Sequence, residues 1–400
     1  MRIAMFLDTD FPPDSRVENE AVSLIKEGHQ VFLFSLSYNN FTLEEDVNGI
    51  KVHRYKVGKL IYKLSALAYS IPLFSMLVKN KIDHFIEKIK PDVLHVHDMP
   101  LAETVFYVNR VYDLPVTLDL HEDRPEIMKF YPHLKKFPGN FLISTKKWAR
   151  SQIELMLKAD KIILVTEDAK QKYVGLYPEL GSKIIVVPNT VHPKIFYQYP
   201  IDQTIVERFS SCPMILYVGD TGLRRGTDTA IKAMPYVLKK IPNAKLVLVG
   251  KNSEDLVLHK LVEELGLFTN VVFEGWKNVA LFPSYIKAST VCISPLKRNP
   301  HHDTTYANKI FQYMAMGKPQ VVSDCKAQKY VIEKENCGLV HEADNPIDLA
   351  NKIIELILDS KKTTQLGING KEAVNRTWNW DQTSDSLLKL YGTILMNKKN

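Results

Sequence analysis

The sequence predicts an α/β protein made of two doubly wound, Rossmann-like halves. Three observations carry that expectation. Short, almost wholly apolar runs alternate with helical patterns along the chain, the mark of parallel strands covered on both faces. The alternation pauses between residues 192 and 210 and then restarts. The 400 residues also exceed what a single compact core accommodates.

Taken in order, "RIAMFL" is a first strand and "DSRVENEAVSLIKEGHQ" a helix stopping near Gly28. "VFLFSL", "PDVLHVHD", "LPVTLDLHE", "ADKIILVTE" and "SKIIVVPNT" continue the strands, with helices between most of them. After "NTVHPKIFYQYPIDQ" the second series runs through "MILYVG", "AKLVLVG", "VVFEG", "STVCISP" and "QVVSD". Its helices include "GTDTAIKAMPYVLKKI", "SEDLVLHKLVEELGL", Phe282 to Lys287 and Tyr306 to Met316; "WDQTSDSLLKLYGTILM" closes the chain. The expected domains are residues 1–200, residues 201–375, and a final helical segment, 376–400.

Composition narrows the function classes. The chain is 45% hydrophobic and 24% charged, without low-complexity tracts. A net charge of +7 and a pI near 8.9 suit anionic small molecules, a membrane surface or nucleic acid. The basic residues form no stripe with stacking aromatics, so nucleic acid is set aside. Cys212, Cys292, Cys325 and Cys337 are dispersed with no CxxC pair, against zinc or a disulfide framework. "MRIAMFLD" reads as a strand and not as a signal peptide, and no run reaches the ~18 apolar residues of a spanning helix. A cytoplasmic protein is expected.

Ligands of open α/β sheets bind beyond the carboxyl ends of the strands, so the following loops carry the chemistry. "YVGDTGLRRGTDTAI" places Gly219, Gly222 and Gly226 in a strand-to-helix turn with Arg224 and Arg225. Glycines admit a phosphate to backbone N–H groups and arginine adds a fork of donors; solvated arginines on a plain turn are the bland alternative. "YANKIFQYMAMGKPQVVSD" puts Asn308, Lys309 and Gln312 on one helix face, with Asp303 or Thr304 capping a helix from about Thr305. "LDLHEDRPE" crowds His121, Glu122, Asp123 and Arg124 at a strand end, where titratable groups are site candidates or simple cap residues. His95 and His97 are read as pointing to opposite sides of a buried strand, which disfavours a shared metal. His301 and His302 read as an exposed loop, and Asn189 after Pro188 as a turn.

Together these stretches resemble the retaining GT-B glycosyltransferases of family 4, also called group 1, almost end to end. "PDVLHVHD", "VTLDLHED", "KIIVVPNTVHPKIF", "YVGDTGLRRG" and "ANKIFQYMAMGKPQVVSD" carry the likeness, with the closing "WNWDQTSDSLLKLY". The resemblance implies the GT-B fold, a final helix crossing back to the first domain, and sugar transfer from a UDP- or GDP-sugar with neither metal nor cofactor. It implies catalytic roles for His121, Arg225 and Lys309. Donor binding falls to Gly219, Arg224, Arg225, Thr305, Asn308, Lys309 and Gln312. Asp14, Arg16, His97, Glu122 and Asp123 lie on the acceptor side.

Four departures from the family pattern stand out. Asp220 replaces a phosphate-binding arginine, Arg225 a lysine, and Thr304 and Gln312 replace the paired glutamates; Thr190 and His192 alter the linker motif. A glutamine still pairs with a ribose diol, one acceptor and one donor, at a loss of roughly 1–2 kcal/mol of charge assistance. "VGKLIYKLSALAYSIPLFSMLVKNK" and "YPHLKKFPGNFLISTKKWAR" join aromatic and aliphatic residues to Lys59, Lys63, Lys79, Lys81, Lys135, Lys136, Lys146, Lys147, Trp148 and Arg150. Such stretches suit adsorption to anionic lipid, or else pack as ordinary helices with solvated lysines. A lipid-linked saccharide acceptor of bacterial surface polysaccharide assembly follows, with the protein peripheral on the inner face of the plasma membrane. The rivals are a GT-B epimerase or phosphorylase, marked by hydrolysis or a free-phosphate site, and a catalytically silent nucleotide-sugar-binding paralogue.

Overall fold

The computed structural model describes residues 1–39, 42–58, 61, 64–131, 134, 136–137 and 139–397. The chain divides into two units: residues 1–188 together with 384–400, and residues 189–383.

The first unit holds eight strands: β1 (Arg2–Leu7), β2 (Gln30–Ser37), β3 (Glu44–Val47), β4 (Ile50–Lys56), β5 (Val93–His97), β6 (Val116–Leu120), β7 (Lys161–Leu164) and β8 (Ile184–Val186). Their order is β3-β4-β2-β1-β5-β6-β7-β8, and all neighbours run parallel except β3 against β4. β5 and β6 are buried at every position, as apolar strands covered on both faces must be. The helix Ser15–Lys26 begins where the Asp14 carboxylate accepts from the Arg16 and Val17 amides. Its buried face is Val17, Glu20, Ala21 and Leu24, at 3.6-residue spacing, so an acid occupies a core position.

The strand order reverses between β1 and β5, and the loops after these strands are the unit's switch point. The final helix, Asp385–Asn397, belongs to this unit, with Leu387 and Tyr391 fully buried.

The second unit is a wholly parallel sheet in the order β11-β10-β9-β12-β13-β14. Its strands are β9 (Met214–Val218), β10 (Lys245–Val249), β11 (Val271–Gly275), β12 (Val291–Ser294), β13 (Gln320–Ser323) and β14 (Gly338–His341). One apolar cluster covers each face of the sheet. Here the order reverses between β9 and β12, which places the glycine-arginine loop and the loop before Lys309 at the switch point.

Three strands escaped the sequence reading. β3 and β4 form a hairpin at the sheet edge, turned by Asn48 and Gly49 at φ 53° and 86°. An Asn-Gly pair with both residues left-handed is a strong hairpin signal, but β3, "EEDV", is charged and largely exposed, without an apolar run to announce it. β14 is only four residues long. The helix expected from Tyr306 is shorter, Lys309–Ala315, and has no side-chain cap. Neither Asp303 nor Thr304 caps it: they end a separate short helix, Pro300–Asp303, capped by Asn299.

Candidate active site

In the first unit, β5 and β6 build a buried cluster of imidazoles around one carboxylate. Their parallel register sets His97 beside Asp119, and His95 beside Thr117. His95 and His97 are two residues apart in a strand and so share a face. Their rings lie 4.4 Å apart, which corrects the expectation that they point to opposite sides. Asp119 Oδ2 lies 3.0 Å from His121 Nε2, 3.2 Å from His97 Nδ1 and 3.3 Å from His95 Nε2. Glu20 Oε2 is 3.5 Å from His95 Nε2, and the Tyr391 hydroxyl is 2.7 Å from His95 Nδ1.

This environment separates the charges. Burial raises the Asp119 carboxyl, but His121 and the other imidazoles hold it well below the usual range. Burial pulls His121 down, and Asp119 more than offsets that, so His121 is raised above its ordinary 6.5. Burial and then His95 press His97 down to about 4. Burial and the neighbouring Asp119 push Glu20 well above the carboxylate range.

The expected acceptor-side residues gather only in part. Asp14 caps the first helix and also pairs with Arg16 at 3.2 Å. Arg16 lies 4.0 Å from Asp98, whose carboxylate accepts the His121 amide at 3.2 Å. Burial raises the Asp14 carboxyl, but Arg16 and then the nearby His121 hold it below its ordinary value. Asp123 instead pairs with Lys172 and meets Tyr173, while Glu122 is half-buried beside it. Glu20, Asp119 and Tyr391 were missed; the signal for Glu20 was an acid within an apolar helix stripe. Glu20, His95, His97 and Asp119 each offer a metal-ligand atom within 4.8 Å of the others, making them the candidate metal set among the described residues.

In the second unit, Gly219 follows β9 at φ 113° and Gly226 takes φ 73°. A Cβ on Gly226 would stand 1.7 Å from the Pro295 carbonyl oxygen, so only glycine fits. Arg224 and Arg225 occupy a short 3-10 turn between them, before the helix Thr227–Leu238. Asp220 Oδ2 pairs with Arg224 at 3.3 Å and Arg225 at 3.5 Å, and its Oδ1 accepts from Asn252. Asp220 thus sets one negative charge against the two arginines beside it.

Lys309 is buried, its Nζ 3.7 Å from the centre of the Tyr217 ring and close by Gly219. Burial, then the Arg225 charge, drives its pKa well below 10.5. The structure therefore brings Gly219, Arg224, Arg225 and Lys309 together. Asn308 precedes Lys309 and is exposed; Gln312, one turn on, is half-buried. The Thr305 hydroxyl bonds the His301 carbonyl at 2.6 Å, and Thr304 bonds the Pro300 carbonyl at 2.8 Å, so both hydroxyls serve the loop. His301 and His302 are buried, not exposed, because the loop folds back as a helix. His302 Nδ1 meets the Lys297 carbonyl at 2.7 Å and its Nε2 faces Arg224 at 3.5 Å. Burial and Arg225 hold His302 down at about 3, an uncharged neighbour for the arginines.

Comparison with known proteins agrees with this architecture. The pattern described as "Glycosyltransferase Family 4" matches residues 15–194, and "Glycosyl transferases group 1" matches residues 202–373. An uncharacterized glycosyltransferase of Methanocaldococcus jannaschii is 22% identical, with 98% of each chain covered. The phosphatidyl-myo-inositol mannosyltransferase of Mycobacterium leprae is 21% identical, over 98% of this chain and 97% of its own. The Anabaena HepE protein, crystallised with UDP and glucose, superposes with a TM-score of 0.73 at 15% identity, covering 98% of this chain and 99% of its own. Two parallel-sheet Rossmann-like units and matches spanning both of them make this chain a GT-B enzyme that belongs to the group 1 glycosyltransferases.

Proposed function

We propose that the enzyme is a retaining, metal-independent transferase that moves a hexose-type sugar from a UDP- or GDP-sugar to a lipid-linked saccharide acceptor, in assembly of a bacterial surface polysaccharide. The observation that carries this reading is the cationic loop of the second unit, where Arg224, Arg225 and Lys309 converge at a switch point. HepE was crystallised with UDP and glucose, and the mannosyltransferase relative is named for a phosphoinositide acceptor; both support the two substrate classes.

The donor diphosphate takes Asp220's place as anionic partner of the arginines. The bond between the anomeric carbon and phosphate oxygen breaks, with the developing charge held by Arg224, Arg225 and Lys309. The acceptor oxygen bonds to the same carbon from the face the phosphate leaves, and its proton passes to the departing phosphate. His121 donates a hydrogen bond to the sugar. Thr305, Asn308 and Gln312 hold the nucleoside side, Gln312 at the ribose diol. Asp14, Arg16, His97, Glu122 and Asp123 remain proposed to face the acceptor, Asp14 and Arg16 through the positions they hold around His121.

The first unit also carries an apolar, basic surface. Ile71, Leu73, Met76, Leu77, Phe137, Phe141 and Leu142 are exposed, with Lys136, Lys146 and Lys147. A hydrogen bond from the Ser144 amide to Ser70 Oγ, 3.4 Å, ties the two segments together. Trp148 is not part of this surface: it is buried against Tyr69 and donates to the Ala66 carbonyl. Lys59, Lys63 and Lys135 lie outside the described residues. No described helix is long and apolar enough to cross a membrane. We place the enzyme peripherally on an anionic membrane through this surface.

Screening UDP-, GDP-, TDP- and ADP-sugars by thermal shift should find at least one stabilising donor, and Gln312→Glu should bind it as tightly or up to about tenfold better. Silence across the panel, or a large loss in the variant, contradicts the reading. Diphosphate binding should also draw a proton onto Lys309, whose pKa burial and Arg225 depress. Calorimetry of UDP in buffers of different ionisation heat should show net proton uptake, and affinity should fall as the pH is raised toward the ordinary lysine value of 10.5. Binding without proton linkage would place the phosphates elsewhere. In sedimentation with vesicles containing phosphatidylglycerol, the wild type should pellet and Phe137→Ser/Phe141→Ser should stay in solution; equal behaviour rules the surface out.

A further inference from the structure

We propose that Glu20, His95, His97 and Asp119 form a site for one divalent transition-metal ion of the zinc class, buried in the first unit. The ion is structural. It ties the first helix to β5 and β6 and takes no part in sugar transfer, so the metal-independent chemistry proposed above is a separate matter.

The spacing of the ligand atoms comes first. Each of the four residues offers one, and these atoms all lie within 4.8 Å of one another. Four ligands placed tetrahedrally about 2.1 Å from zinc stand about 3.4 Å apart. The structure sets His97 Nδ1 3.2 Å and His95 Nε2 3.3 Å from Asp119 Oδ2, and Glu20 Oε2 3.5 Å from His95 Nε2. Closing the shell moves each partner of the widest pair by at most about 0.7 Å. Two imidazole nitrogens with two carboxylate oxygens are a donor set that suits zinc and its neighbours; magnesium and calcium prefer oxygen alone.

The second observation is what these side chains lack. His95 and Asp119 are fully buried, and Glu20 and His97 nearly so. Glu20 Oε2, Asp119 Oδ1 and His97 Nε2 are buried polar atoms with no hydrogen-bond partner. Two carboxyls face one imidazole in this dry place, and among the described residues neither forms an ion pair with a lysine or arginine. Buried acids are ordinarily paired or bound to a metal. A dication satisfies Glu20 Oε2 and balances both acids.

The fold already holds the ligands in place. His95 and His97 share a face of β5, and β6 sets Asp119 level with His97. Glu20 comes from the buried stripe of the helix Ser15–Lys26. The Tyr391 hydroxyl, 2.7 Å from His95 Nδ1, is an outer partner of the kind that fixes the nitrogen a metal-bound histidine presents. An Nδ1–H donated to that hydroxyl leaves the Nε2 lone pair facing Glu20 and Asp119. A carboxylate has about four lone-pair sites, so Asp119 can bind the ion and keep its contact with His121. Four protein ligands leave no open position, which is the arrangement of a structural site.

The test is elemental analysis of the full-length protein, purified without a histidine tag from cells supplied with zinc and then dialysed against EDTA. The wild type should carry about one equivalent of zinc per chain, and His95→Gln/His97→Gln less than about a tenth of that. His259→Gln, which alters an exposed histidine of the second unit, should keep the full equivalent. Wild-type protein refolded from guanidinium with zinc chloride should melt at a higher temperature than protein refolded with EDTA, an arm that needs no variant. UDP affinity should be the same in the double variant, because the proposed donor site lies in the other unit. A wild type free of zinc, a melting temperature indifferent to zinc, or zinc retained by the double variant, which marks an adventitious ion, would each overturn the proposal. The zinc assays use no nucleotide sugar, so their failure is distinguishable from failure of the donor screen.

Discussion

Three imidazoles leaning on one carboxylate oxygen is the interaction on which the first unit depends. Its origin is backbone geometry. Parallel pairing of β5 and β6 puts His97 level with Asp119, and the two-residue repeat of a strand puts His95 and His97 on the same side. The loop after β6 then turns His121 back onto the same oxygen, fixed by its amide on Asp98. Burying such groups is costly, and removing one partner of a buried ion pair costs roughly 3–5 kcal/mol. The last helix supplies one member of the network, Tyr391, whose hydroxyl meets His95.

The second unit meets the same problem, like charges in a confined space, in another way. Arg224, Arg225 and Lys309 cannot all be charged and unpaired near one another. Asp220 offsets the arginines, and burial strips Lys309 of its affinity for a proton. Both devices suit the occupant proposed for this site, a diphosphate. In the proposed mechanism Asp220 is a temporary counterion, released when the diphosphate arrives.

Much of this was legible in the residues. "RIAMFL" and "VVFEG" became strands with the bounds read from them, because continuous apolar runs between polar turns have one economical fate in an α/β sheet. That Gly219, Arg224, Arg225 and Lys309 come together was legible because glycines and arginines clustered after a strand form a local pattern. The histidine hub was not. Its members come from residues 20, 95, 97, 119, 121 and 391, and only tertiary register brings them together. The charged edge strand β3 and the buried His301 and His302 were missed for a related reason. Neighbouring elements decide their exposure, and their own composition does not announce it.

In the proposed mechanism His121, raised by Asp119 above its ordinary 6.5, works as a cation and not as a base. The pH dependence of the turnover number, taken with donor and acceptor both saturating so that Lys309 is already charged by bound phosphate, tests it most directly. A plateau on the acid side, lost as the pH rises through a midpoint above about 6.5, is the predicted result. A rate that instead climbs through that window, as an imidazole base would make it, contradicts the account.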